Sequence, residues 1–244
     1  MNDETSRYHQ LHDYRFFVTP EHECSYLPNR EATTLFIDPQ AELSTQAYSL
    51  FAELGFRRGG DHIYRPHCAL CNECKAIRIK VNTFSASRSQ RRILKRNHAI
   101  DINWIDAGYK ESHFRLYQKY MLHRHNDSPM VSDNPEQYQR MMSTSWCATK
   151  LAEFYLNQTL IAVAITDCLE NGLSAVYTFF DPDYSDYSLG THSILQQITT
   201  AKQAGLDHVY LGYWIKDCEK MAYKNRFSSL EIFNGHSWQD YLAG

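Results

Sequence analysis

The chain has 244 residues, 43% hydrophobic and 22% charged, with a formal net charge of −3; this allows a large core in one or two domains, and no apolar run approaches the ~20 residues that a membrane-crossing helix needs. The net charge conceals a segregation: Arg57 to His98 holds 11 of the 25 Lys/Arg and 2 of the 28 Asp/Glu, a block of about +9 beside a remainder of about −12, as a polyanion-binding face on an acidic protein would. Seven cysteines, an odd number, argue for reduced thiols or metal ligands over a disulfide framework, and Met1 to Gln10 is polar with no apolar signal stretch, so the expectation is a cytoplasmic protein without a membrane partner.

In chain order, Leu43, Ala47, Leu50, Phe51 and Leu54 recur at helical spacing, and Gly55 can end that helix in a left-handed conformation. Ala76 to Val81 alternates as a strand does. Ser87 and Gln90 form a capping box that opens a second helix; on it Arg88, Arg91, Arg92 and Lys95 share one arc, with Ile93 and Leu94 opposite. Ile100 to Ile105 reads as extended and Phe114 to Met121 as helical. Leu151 to Leu156 and Leu160 to Thr166 form a hairpin around Asn157-Gln158. Leu173 to Phe180 is a buried strand that Asp181-Pro182 ends. Ser188 can cap a helix carrying Ile194, Leu195, Ile198 and Ala201, which stops near Gly205. Val209 to Ile215 is the next strand, so the order strand, helix, strand predicts a βαβ unit and an α/β layer.

Three motifs carry chemistry. Cys68, Cys71 and Cys74 form C-x-x-C-x-x-C; Cys24 or His67 could supply a fourth ligand for zinc, and an iron–sulfur cluster fits the same spacing. The alternative is a loop of free thiols. The arginine helix, with Arg57, Arg58 and Arg65 upstream, suits phosphate, because guanidinium groups pair bidentately with phosphate and release counterions; a merely solvated face is the alternative. In SLGTHSIL, Ser188 to Leu195, a glycine just inside a helix start exposes backbone N–H groups to an anion, although a plain capped helix explains the same letters. P-loop, dinucleotide-binding and hydrolase-nucleophile signatures are absent.

Ordered blocks run through most of the chain: CSYLP (Cys24 to Pro28), GFRR (Gly55 to Arg58), HIYRPHC (His62 to Cys68), the cysteine string, SRSQRR (Ser87 to Arg92), SAVYTFFDPD (Ser174 to Asp183), SLG (Ser188 to Gly190), YLGYWI (Tyr210 to Ile215) and CEKMAYK (Cys218 to Lys224). Together they resemble the bacterial branch of the arginyl-tRNA–protein transferase family. Gly59 departs from the serine expected after GFRR, and Cys24 stands alone where eukaryotic relatives carry a cysteine pair. The resemblance implies an α/β fold: residues 1–99 as a smaller Cys-containing basic lobe and residues 100–244 as a mixed-sheet, GNAT-like acyltransferase lobe. It implies leucine transfer from leucyl-tRNA to the α-amino group of proteins beginning with Asp or Glu, a degradation mark of the N-end rule pathway, with arginyl transfer as the alternative.

That chemistry starts from an activated ester and an amine of pKa near 8, so positioning, an oxyanion donor and a proton relay suffice and no cofactor is required. Tyr177 and Asp181, where such folds open their cleft, and Tyr213 are the catalytic candidates. Arg78, then Arg57, are candidates for the acceptor's carboxylate. The tRNA is expected along Arg88, Arg91, Arg92, Lys95 and Arg96. Two rival readings are a coenzyme-A-dependent acetyltransferase, although YSDYSLGTHS lacks the second spaced glycine and the basic start of its phosphate turn, and a non-enzymatic zinc and nucleic-acid module.

Overall fold

In the computed structural model, residues 11–124 and 134–241 are described; the polar stretch Met1–Gln10 lies outside them. Strands β1 (Phe16–Val18), β2 (His22–Glu23), β3 (Glu31–Ala32) and β4 (Thr34–Ile37) precede helix α1 (Thr45–Glu53); β5 (Arg57–Gly59) and β6 (His62–Pro66) follow it, and β7 (Lys75–Lys80) leads to α2 (Arg88–Arg96). Then come β8 (Asp101–Asp106), α3 (Glu111–Arg124), α4 (Pro135–Met142), β9 (Thr149–Leu156), β10 (Thr159–Cys168) and β11 (Gly172–Phe180). The chain closes with α5 (Leu189–Gln203), β12 (His208–Trp214), β13 (Leu230–Phe233) and β14 (Trp238–Asp240).

Local chemistry sets several of these boundaries. Ser44 Oγ accepts the Ala47 N–H at 3.1 Å to start α1. Gly55, at φ +79°, turns the chain out of it, and a Cβ there would lie 2.8 Å from the Phe233 ring. The predicted capping box of α2 forms, with both the Ser87 and Gln90 side chains engaged. Asn157 and Gln158 both take positive φ and close the β9–β10 hairpin. Ser188 departs from the expectation: it sits left-handed at φ 51° and makes no side-chain cap, because a 3-10 turn over Pro182–Tyr187 runs directly into α5 and takes the place of an extended N-cap.

Two larger sheets result. The smaller is antiparallel, in the order β1-β4-β6-β5; the larger is mixed, in the order β14-β13-β7-β12-β11-β10-β9-β8, with β11 and β12 parallel and joined through α5. The expected βαβ unit and mixed α/β architecture are therefore present. Strand β7, which a border at residue 99 assigns to the N-terminal lobe, is hydrogen-bonded inside the large sheet between β12 and β13.

The large sheet is covered on both faces. Ile77, Ile79, Val209 and Leu211 pack against Ile194, Leu195 and Ile198 of α5, with Ile93 and Leu94 of α2 alongside, so the apolar side of α2 points inward as its sequence pattern requires. On the other face α1 packs on Leu169 and Tyr210, and α3 on Val163, Ile165 and Phe179. Arg58 ties the small sheet to the large one. Fully buried, it donates from Nε and Nη2 to Asp167 at 2.7 and 2.9 Å, and from Nη1 to the carbonyls of Gly60 and Met141. The donor fork and acceptor are thus matched, as a buried pair requires. Among the described residues no helix is long and apolar enough to cross a membrane.

Candidate functional site

The parallel strands β11 and β12 pair only over Gly172–Ser174 and His208–Tyr210 and then part. Each carries a register shift at the parting. On the β10–β11 side Val176 is skipped between Ala175 and Tyr177, and on the β7–β12 side Leu211 is skipped between Tyr210 and Gly212. Although β11 lies in the middle of the sheet, Ala175–Thr178 are only half-buried. The parting therefore opens a cleft whose walls include backbone carbonyls without ladder partners, groups that need donors.

Two cations supply them. Arg57 reaches in from β5 and donates from Nη2 to Val176 O at 2.9 Å. Because side chains alternate along β5, its neighbour Arg58 points the other way, to Asp167. Arg57 lies against Gly212, where a Cβ would fall 2.1 Å from Nη1, and its guanidinium carbon is 6.0 Å from the Tyr213 ring centroid. Lys224 reaches in from the 3-10 turn Glu219–Arg226 and donates to Leu211 O at 2.8 Å and Tyr213 O at 2.7 Å. The Lys224 side chain is partly buried. Burial, and then Arg57, bring its pKa down to about 7, against a weaker opposing pull from the Cys218 thiol. No ion pair among the described residues includes Arg57 or Lys224; the leading titratable neighbours of Arg57 are Tyr64, Tyr213, Tyr48 and Tyr26.

The remaining sequence candidates lie around this cleft in different states. The Tyr177 hydroxyl donates to Met121 Sδ at 3.6 Å, a weak acceptor, and burial raises its pKa, so the phenol stays protonated. The Tyr213 hydroxyl is committed to the carbonyls of Gly55 and Tyr64, both at 3.0 Å, and burial holds its pKa well above the usual value. Asp181 accepts the Asp183 N–H at 3.0 Å and pairs with Lys119 at 2.6 Å. Arg78 is engaged elsewhere: Nε donates to Glu231 at 2.6 Å, both side chains are largely buried, and the guanidinium lies over Trp238 at 4.3 Å.

Helix α2 spans both banks of the cleft. Near its start Gln90 donates to Arg226 O, at the end of the turn that carries Lys224. At its end Asn97 donates to Tyr187 O at 2.8 Å and Arg96 to Asp186 O, in the turn that follows β11. Arg88, Arg91, Arg92, Lys95 and Arg96 are all exposed. None takes part in an ion pair among the described residues, which leaves a continuous basic surface beside the cleft.

Cys24, Cys68, Cys71 and Cys74 are half-buried and unoxidised. Burial pushes the Cys74 thiol up to about 12, and Cys24, Cys68 and Cys71 act on it in the same direction, so the four are electrostatic neighbours. Their chemistry suits zinc or an iron–sulfur cluster, but their positions do not: among the described residues no three His, Cys, Asp or Glu side chains are grouped to hold a metal ion. Cys74 instead packs beside Tyr213, Ala76 and Phe233, and Cys68 donates to Thr33 O.

Sequence reading gave Lys224 no role. Its only signal was membership of the CEKMAYK block, since the carbonyls that define its place become free only when β12 parts from β11. Tyr26, nearly half exposed and within electrostatic reach of Arg57, was likewise visible only as part of CSYLP.

The parted sheet thus holds two cations that have no carboxylate partner among the described residues, and a basic helix lies along its rim. The chain belongs to the arginine-tRNA–protein transferase family: the model of that family's N-terminal part matches residues 22–92 and that of its C-terminal part residues 112–234. It is 46% identical over 229 residues, 93% of each chain, to a Chromohalobacter salexigens protein named aspartate/glutamate leucyltransferase. It is 45% identical to a protein of that name from Pseudomonas aeruginosa, over 94% of this chain and 97% of the relative. Among solved structures, L-PGS from Bacillus licheniformis aligns with a TM-score of 0.48 at 10% identity, over 86% of this chain and 71% of that one.

Proposed function

We propose that this chain transfers leucine from leucyl-tRNA to the α-amino group of proteins whose first residue is Asp or Glu, in the cytoplasm, marking them for degradation by the N-end rule pathway. The observation that carries this reading is Arg57. It is a cation in the cleft with a backbone carbonyl and tyrosines for company and, among the described residues, no carboxylate partner. A planar donor fork left unneutralised in a half-buried cleft is a receptor for a carboxylate. Arg78 already holds Glu231, so Arg57 takes first place for the acceptor's acidic side chain. The relatives' shared name favours leucyl over arginyl transfer.

The parted β11 and β12 support a GNAT-like acyltransferase lobe, with the small sheet and its cysteines as the second lobe. The acceptor arm of the tRNA lies along Arg88, Arg91, Arg92, Lys95 and Arg96, and the rim position of α2 leads its aminoacylated end into the cleft. Once amine and ester carbon are held together, the attack needs little more than positioning and charge stabilisation. Tyr177, protonated and held by the Met121 thioether and the Tyr120 hydroxyl, can turn its O–H toward the developing oxyanion. Tyr213 holds the small sheet against β12, and Asp181 with Lys119 fixes the far bank. The reaction requires no cofactor, and no step runs through the cysteines.

The test is to incubate the purified protein with leucyl-tRNA or arginyl-tRNA and peptides beginning with Asp, Glu, Lys or Ala. Mass spectrometry should find one added leucine on the Asp and Glu peptides alone. Arginine addition, or leucine on the Lys and Ala peptides, contradicts the reading.

A further inference from the structure

We propose that Lys224 accepts the proton that the acceptor's α-ammonium must lose before it attacks, an inference that rests on the aminoacyl-transfer reading above. The geometry is specific. Nζ sits in the cleft and makes two hydrogen bonds, to the carbonyls of Leu211 and Tyr213 on β12. A neutral primary amine has two N–H groups, and both are used here. Its lone pair is the position not taken by the backbone, and it can be filled either by a proton or by a substrate's N–H. The two carbonyls hold the nitrogen in place in either protonation state, so taking up a proton needs no rearrangement.

The charged and titratable groups facing it are few. Arg57 comes from β5 and opposes protonation; Cys218, at the head of its own turn, favours it. Tyr213 on β12 and Tyr26 approach through Arg57, and no carboxylate among the described residues pairs with it. Burial and Arg57 place its pKa at about 7, so near neutral pH it can both take up and release a proton. An acceptor α-ammonium has a pKa near 8. Once the acidic side chain settles on Arg57, the like charge opposing Lys224 is cancelled and its proton affinity rises. The acidic acceptor thereby switches on the base that activates it, and selectivity for Asp and Glu enters through rate as well as binding.

The step balances. An N–H bond of the α-ammonium breaks and an Nζ–H bond forms. The freed lone pair then makes the C–N bond to the ester carbon while the ester C–O bond breaks. The nitrogen's second proton leaves on the ribose oxygen as a hydroxyl, and Lys224 returns its proton to water.

The experiment measures kcat/KM for an Asp peptide between about pH 6 and 9.5 in the wild type, Lys224→Arg and Lys224→Met, each checked for folding and leucyl-tRNA binding. Arginine keeps a donor to the carbonyls and a charge but cannot accept a proton. We expect both variants to fall roughly 100-fold near pH 6.5, and to recover to within about 10-fold at high pH, where the amine is neutral unaided. A deficit constant across pH, or no deficit, overturns the proposal. Should the variants not fold, the wild type decides. With lysines carrying 13C at the ε position, one resonance should titrate near pH 7 and shift toward its protonated form on adding an Asp peptide but not an Asn peptide. If every lysine titrates above about pH 9, the assignment is wrong. A wild type that transfers no leucine at all defeats the transferase reading rather than this one.

Discussion

On the proposed reading, replacing Arg57 by methionine removes the cleft's carboxylate receptor and also one of the charges that hold the Lys224 pKa down, a change that Asp and Asn peptides share. Among the described residues the guanidinium gives one N–H, to Val176 O at 2.9 Å, and its carbon lies 6.0 Å from the Tyr213 ring centroid, which leaves its other donors for a substrate. An acidic side chain that enters the variant is desolvated without a partner. Truncating one side of a hydrogen-bonded charge pair costs about 2–5 kcal/mol; at about 3 kcal/mol, kcat/KM for an Asp peptide should fall roughly 100-fold. An Asn peptide has no charge to lose and should change by less than about 10-fold. The assay is a rate comparison of matched Asp and Asn peptides with saturating leucyl-tRNA, and its readout is the Asp/Asn ratio. Arg57→Lys should lie between, because it restores the charge without the fork. A folded Arg57→Met protein that binds leucyl-tRNA and keeps the wild-type ratio would refute the assignment.

Further outcomes follow from the same geometry. Arg78→Met strands Glu231 and should cost about 3 kcal/mol of stability in denaturant melts while leaving the Asp/Asn ratio intact; a collapsed ratio would return the acceptor site to Arg78. Gly212→Ala, at φ +73° with its Cβ 2.1 Å from Arg57 Nη1, should displace the guanidinium and lower the Asp/Asn ratio as Arg57→Met does, which the same peptide assay checks. Arg91→Glu with Arg92→Glu should weaken leucyl-tRNA binding and flatten its logarithmic salt dependence by ~1.5; titrations at several salt concentrations that give an unchanged slope would remove α2 from the RNA site. Protein stripped with a chelator should keep its leucine-transfer rate, and a rate lost and then restored by zinc alone would make the cysteines part of the active unit.

Local pattern made much of the fold legible. The capping box at Ser87, the positive-φ pair Asn157-Gln158 and the apolar periods of β11, α5 and β12 are each decided within a few residues. What stayed hidden depends on contacts far apart in sequence. β7 enters the large sheet beside β12, more than 120 residues away, and nothing in its own alternation reveals which strands it joins. The order of Arg78 before Arg57 followed strand position, whereas the partners that separate them, Glu231 for one and Val176 O for the other, lie 153 and 119 residues away. Lys224 acquires its place only from carbonyls bared by the parting of two strands. The basic face of α2 was readable because helical period alone aligns it, and its position on both rims was not, because bonds from Gln90, Arg96 and Asn97 to distant turns set it.

The most direct test is a crystal structure with a stable amide analogue of the leucylated tRNA 3′ end and an Asp-initiated peptide bound together. The account predicts the leucyl group between β11 and β12, the peptide's carboxylate on Arg57, and its amine beside Lys224. Finding the carboxylate on Arg78, or the leucyl group outside the parted strands, would contradict it.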